Sequence, residues 1–205
     1  MSRRPTYLSK EFAAKLAKLE STRVKVENLL PLGHLSDTDI EVVYAGLFLD
    51  AFTEFESLIE SLFIGLFDGS LKSKGQPVTR LLRVSPKGAA RTVVFGGKSY
   101  IDWLPVEDKT IPHAKRFLLD GKPFSLLSQS EKLELKNAHL LRNAIAHKSD
   151  AATQGFLRSI SQQSLLPHEK SPAGYLRTNP QGIFGLTRFS ITMQSLDAIA
   201  KKVCA

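Results

Sequence analysis

SDTDIEVVYAGLFLDAFTEFESLIESLFIGLF, residues 36–67, decides the fold class. Val43, Leu47, Phe48, Ala51, Phe55, Leu58, Leu62 and Leu66 recur mostly three or four residues apart, the spacing of an α-helix. They wrap more than one face, and a helix apolar on several sides belongs inside a protein. Ser36 has cap chemistry, and Asp37 and Asp39 suit the positive end of the helix dipole. Asp68-Gly69 supplies the stop. Unbroken, the helix is about 48 Å long at a rise of about 1.5 Å per residue.

Helical periodicity continues on both sides. Residues 9–30 place Phe12, Leu16, Leu19, Val26, Leu29 and Leu30 near helical spacing, and Pro31 and Gly33 end the segment. Downstream, residues 110–120 read as a short helix with Pro112 in its first turn and Gly121 at its end. Ser128-Gln-Ser-Glu131 is a capping box, which starts a further helix near residue 129 and runs it to His147. Residues 150–163 read as another helix, 165–187 as an irregular Pro- and Gly-rich arm, and 189–203 as a closing amphipathic helix. Only 70–107 breaks the pattern. There Arg91-Thr-Val-Val-Phe95 and Lys98-Ser-Tyr-Ile101 flank Gly96-Gly97, the signature of a β-hairpin with a primed turn, with Trp103 as its anchor. The expected architecture is all-α: a single-domain antiparallel helical bundle over residues 1–205, with a core at about 36–165 and a small basic hairpin insertion at 70–107.

Composition narrows the function classes. With 205 residues the chain fills one well-packed domain. A single cysteine, Cys204, rules out an internal disulfide framework and points to a reducing cytoplasm. Its place at the C-terminus suits a frayed end and makes it a poor nucleophile. The opening Met-Ser-Arg-Arg-Pro leads into an amphipathic helix rather than a secretory signal, and Asp50, Glu54, Glu56 and Glu60 interrupt the apolar stretch 42–67, so no membrane span is expected. Net charge is +8, favouring a polyanionic partner. Between Asp68 and Asp102 there is no acidic residue, against seven basic ones: Lys72, Lys74, Arg80, Arg83, Lys87, Arg91 and Lys98. Such a segment either meets phosphates or is a solvated basic loop. The histidines have no metal-ligand spacing with a cysteine or carboxylate, and no phosphate-loop or dinucleotide motif occurs, so no metal or cofactor is expected.

Leu141-Arg142-Asn143-Ala144-Ile145-Ala146-His147 carries the chemistry. Arg142 and His147, five apart, project about 140° from each other around the axis, which argues that one helix alone does not close them into a site and that two copies about a two-fold axis do. Asn143 and His147 share a face. Arg-x4-His at the end of a core helix resembles the HEPN superfamily of α-helical ribonucleases and their inactive relatives. Gly46-Leu-Phe-Leu-Asp-Ala-Phe-Thr-Glu-Phe-Glu56 resembles the long helix that precedes the family's motif helix. Tyr100-Ile-Asp-Trp-Leu-Pro105 and Ala114-Lys-Arg-Phe-Leu-Leu-Asp-Gly-Lys-Pro-Phe124 look like its bacterial RiboL-PSP-type branch. The similarity covers about residues 36–165. One family branch carries a tyrosine two residues after the motif histidine; here that position is Ser149, which puts its adenylylation-based regulation in doubt.

The resemblance implies a homodimeric, metal-independent endoribonuclease with a composite active site, in which Arg142 and His147 are catalytic and the products are 2′,3′-cyclic phosphate and 5′-hydroxyl ends. Histidine suits the proton transfers because it titrates near neutrality. Arginine keeps its charge and matches phosphate oxygens with a planar fork, placing it at the developing phosphorane. Asn143 orients His147 or holds a phosphate oxygen, while Arg80, Arg83, Lys87, Arg91 and Lys98 guide RNA. A bacterial toxin or anti-phage effector with an antitoxin or other control partner fits that activity. The same residues also admit a structural role. A histidine at a helix C-terminus complements the dipole, and Arg142 has Glu54 and Glu56 as possible ion-pair partners. The competing functions are therefore a catalytically silent helical module that binds nucleic acid or protein, and a structural subunit of a defence complex.

Overall fold

A computed structural model describes residues 4–73, 75, 77–84 and 89–205. Among these residues the structure is helical, with no strand. The helices are α1 (Thr6–Glu27), α2 (Asp37–Asp68), α3 (Ala89–Phe95), α4 (Thr110–Ala114), α5 (Gln129–His147), α6 (Asp150–Ser159), α7 (Pro172–Arg177) and α8 (Arg188–Val203), joined by loops and short 3-10 turns. The central helix is one unbroken element, as its apolar spacing predicts. Its start is capped reciprocally: Ser36 N–H donates to Asp39 Oδ2 at 2.9 Å, and Asp39 N–H donates to Ser36 Oγ at 3.2 Å. No helix among the described residues is long and apolar enough to cross a membrane.

The chain forms two compact units. The first takes Met1–Ala13, Glu54–Lys136 and Asp197–Ala205; the second takes Ala14–Thr53 and Asn137–Leu196. Helices α1, α2, α5 and α8 each give residues to both.

In the first unit, Phe63 of α2 is the centre of an aromatic cluster. Its ring centroid lies 5.1 Å from Trp103, 5.5 Å from His113, and 6.0 Å from both Phe117 and Phe124. Burial among these rings, together with the nearby Arg116 and Lys98 charges, pushes the His113 ionisation down and favours the neutral ring. Glu60, a carboxylate within the apolar helix, accepts from Trp103 Nε1 at 3.1 Å and pairs with Arg91. Trp103 is thus anchored as expected, but against α2 rather than under a hairpin. Cys204 closes the unit as a fully buried residue, not a frayed one, and burial pushes its thiol up to about 12.

Polar bridges organise the second unit. Arg23 of α1 donates to Glu20 at 2.6 Å and to the Tyr44 hydroxyl of α2 at 3.1 Å, and that hydroxyl donates to Glu27 at 2.8 Å. Arg177 of α7 joins Glu27 at 3.1 Å and Asp37 at 2.6 Å. Arg188 and Glu169, both buried, pair at 3.0 Å. Apolar packing runs alongside, with Tyr44 edge-on to Phe189 at 5.6 Å.

The expected hairpin is absent. Arg91–Phe95 is helical, within α3, and Lys98–Ile101 has no strand partner. Gly96 and Gly97 do have positive φ, 55° and 81°, but they end a helix: Gly96 N–H donates to Thr92 O at 3.0 Å and Lys98 N–H to Phe95 O at 3.0 Å. The helix buries Ala90, Val94 and Phe95 on one side, and that tertiary burial overrides the β-propensity of Val93 and Val94. An isolated antiparallel bridge joins Arg80 and Leu118. Two further boundaries differ. The α-helical part of 110–120 stops at Ala114; by Leu118 the backbone is extended and bridges Arg80, and Asp120 and Gly121 take positive φ (57° and 70°). The arm 165–187 contains a 3-10 turn, Pro167–Lys170, and α7, which Ser171 caps by accepting from Gly174 N–H at 3.0 Å. Proline in the first turn favours each start.

Candidate active site

Helix α5 begins as its capping box requires: Ser128 N–H donates to Glu131 Oε2 at 2.6 Å, and Glu131 N–H donates to Ser128 Oγ at 3.3 Å. Leu135, Ala138, Leu141 and Ala144 form its buried stripe at successive intervals of three. His139, Arg142 and Asn143 sit half-buried beside that stripe, and His147 is exposed at the last residue of the helix. Lys148 then takes a left-handed conformation, φ 49°, and Ser149 opens α6 by accepting from Ala152 N–H at 3.3 Å. The chain therefore reverses within two residues of His147, which holds the imidazole at a helix junction.

This junction has a measurable cost. Lys148→Gly removes the Cβ clash of the left-handed conformation and is expected to stabilise the protein by about 0.5–1 kcal/mol. Ser149→Ala removes the α6 cap and is expected to cost about 1 kcal/mol. Thermal melts should separate the two variants in opposite directions from wild type, each by about 2–4 °C per kcal/mol.

Arg142, Asn143 and His147 come together within one chain. Arg142 Nη1 donates to Asn143 Oδ1 at 3.2 Å and lies 3.5 Å from His147 Nε2. This corrects the inference that one helix cannot close the pair. The 140° separation describes where the Cα–Cβ bonds point, whereas the arginine side chain is long enough to swing around the helix end to the imidazole. Asn143 does not orient His147 directly. Its amide Nδ2 faces His139 Nε2 at 2.9 Å, and the His139 ring packs 6.1 Å from that of Phe52. His139 is the site residue that sequence reasoning missed. Its signal was the His-x3-Asn-x3-His spacing, which stacks three polar side chains along one helix face.

Of the five basic residues assigned to RNA, Arg80, Arg83, Arg91 and Lys98 lie in the first unit, and they differ in how they are engaged. Arg83 and Lys98 are exposed. Arg91 pairs with Glu60, and its guanidinium lies 4.4 Å from the Phe95 ring centre. The acid that partners it comes from α2, outside the acid-free segment, so the segment is not wholly unpaired. The Arg80 guanidinium lies over Gly69, so close that a Cβ there would meet Nη1 at 2.5 Å, which sets a positive charge at the C-terminal end of α2. Lys87 lies outside the described residues. A cavity of about 440 Å³ is lined by Glu60, Ser61, Ser70 and Arg91 among others, and one of about 480 Å³ by Ser164, Glu169, Asn179 and Arg188 among others; Arg142, Asn143 and His147 line neither.

Chemically, the cluster offers a fixed cation, an exposed imidazole and an amide that ties the cation down. That set is suited to holding an anionic centre while a proton moves to or from nitrogen. No family model matches this chain, and neither the curated proteins nor the solved structures include one similar to it.

Proposed function

We propose that this protein is a metal-independent endoribonuclease of the HEPN type, acting in the bacterial cytoplasm as a toxin or anti-phage effector. The observation that carries this reading is the approach of Arg142 Nη1 to 3.5 Å from His147 Nε2 at an exposed helix end. In the proposed reaction the RNA 2′-hydroxyl attacks its own phosphorus, with His147 taking or returning the proton. Arg142 stabilises the charge that builds on the phosphorane oxygens, and the 5′-oxygen leaves protonated. The products are a 2′,3′-cyclic phosphate and a 5′-hydroxyl, and neither metal nor cofactor takes part.

The antiparallel bundle and the homodimer with a composite cleft belong to the same reading and rest on the family resemblance. The pair already meets within one chain, so a second copy would extend the site rather than assemble it. Exposed Arg83 and Lys98 would guide RNA, with Arg80, Lys87 and Arg91 adding to the positive field. An antitoxin or another regulatory partner would hold the activity in check.

The test is incubation of wild type and His147→Ala with labelled single-stranded RNA in EDTA. Wild type is expected to leave cyclic-phosphate ends, and the variant to lose about 10²–10⁴-fold in rate. Equal cleavage by both would move the active site elsewhere. RNA binding without cleavage by either would assign the chain to the catalytically silent binding modules.

A further inference from the structure

The hydrogen-bond chain along α5 has a direction that arginine imposes. Arg142 carries only donors, so the Asn143 atom facing it must be the carbonyl oxygen Oδ1, as the 3.2 Å contact has it. A flipped amide would oppose donor to donor. The remaining amide atom, Nδ2, therefore donates outward, and it meets His139 Nε2 at 2.9 Å. That nitrogen must accept, which it does only without a proton, so the His139 ring carries its hydrogen on Nδ1. At the other end of the chain the same Arg142 Nη1 faces His147 Nε2. His139 thus accepts from the far side of an amide whose orientation the arginine sets, and holds that amide in place beside the arginine and the exposed histidine.

We propose that His139, held as its Nδ1–H tautomer, is a positioning residue that acts through Asn143 to fix the Arg142 guanidinium against His147. Its catalytic consequence rests on the ribonuclease reading; the positioning itself does not. His139 sits one turn before Asn143 on α5, and Phe52 of α2 supports its ring. Loss of the acceptor frees the Asn143 amide to rotate and lets the long Arg142 side chain leave its place. A displacement of about 1 Å at a reacting group is worth about 10²-fold in rate.

Full-length wild type, His139→Phe and His139→Gln make the test. Phenylalanine keeps a ring against Phe52 without an acceptor, whereas the glutamine Oε1 restores an acceptor near the place of Nε2. His139→Phe is expected to lower kcat on single-stranded RNA by about 10²-fold with KM little changed. His139→Gln should recover at least tenfold of that loss. Long-range proton–nitrogen correlation spectra of nitrogen-labelled protein, with the His139 signal assigned by its absence in the variants, should show an unprotonated Nε2 at neutral pH. A protonated Nε2 there overturns the proposal whether or not RNA is cut, and so does a His139→Phe protein that cleaves like wild type. If wild type cuts no RNA, the ribonuclease reading falls and the spectra still decide the positioning. The Arg142 guanidinium signals should then shift in His139→Phe and return in His139→Gln, and signals unmoved by His139→Phe overturn the proposal.

Discussion

Arg142→Ala is expected to slow RNA cleavage by about 10²–10³-fold, the loss typical of removing one donor aimed at developing transition-state charge. The fold should survive it. Arg142 is half-buried, and the contacts seen for its guanidinium go to Asn143 and His147, one half-buried and one exposed. Truncation leaves the Asn143 carbonyl oxygen within reach of water rather than sealed in the core, so the stability cost should stay near about 1 kcal/mol. Arg142→Lys separates charge from geometry. Lysine keeps the cation but not the planar fork, and it should recover only part of the rate. Single-turnover cleavage at saturating RNA is the measurement, with thermal melts run in parallel. Added guanidinium ion should partly restore Arg142→Ala and leave His147→Ala unimproved. A variant that melts far below wild type while cleaving normally when folded would make Arg142 a structural residue.

Phe63→Ala is expected to have the largest effect on stability, about 3–5 kcal/mol. The ring is fully buried and meets Trp103, His113, Phe117 and Phe124, so its removal opens a hole walled by rigid aromatic groups that cannot collapse to fill it. Against a total stability of about 5–15 kcal/mol, such a loss leaves a marginal protein. Phe63→Leu, which fills much of the space, should cost less than half as much. Urea unfolding followed by far-UV circular dichroism gives the difference. The single tryptophan, Trp103, stands 5.1 Å from Phe63 and reports the same cluster through its fluorescence. A Phe63→Ala loss under about 1 kcal/mol would show that the first unit does not depend on this cluster.

Periodicity and cap chemistry reach far in this chain. The apolar spacing of α2, the Ser36 and Ser128 caps and the extent of α5 were all legible from residue types, because each is a local interaction between positions three or four apart. What escaped depends on distant partners. Val93 and Val94 read as strand until burial of Val94 and Phe95 is known, and the same two glycines that make a hairpin turn also end a helix. Arg91 looked unpaired because its acid, Glu60, lies 31 residues away in sequence. Inside the Pro- and Gly-rich arm, Ser171 and Pro172 start α7, a six-residue helix too short to show an apolar period. At the candidate site, the residue types and the helix were readable, but the closure of Arg142 onto His147 depended on side-chain length. His139 belonged to the same face from the start; only the contact with Asn143 shows that it is tied to the arginine.

The first unit is assembled from segments far apart in the chain. Asp197–Ala205 belongs to it, with Ile199, Ala200, Val203 and Cys204 buried there, while its opening segment is Met1–Ala13. On the ribosome, then, the earlier segments of this unit wait for residues 197–205 before their shared interior can close. Domains usually fold as they emerge, but this unit cannot do so completely until residues 197–205 have emerged. A chain that stops short of residue 197 lacks the buried Ile199, Ala200, Val203 and Cys204 and becomes a client for chaperones and proteases.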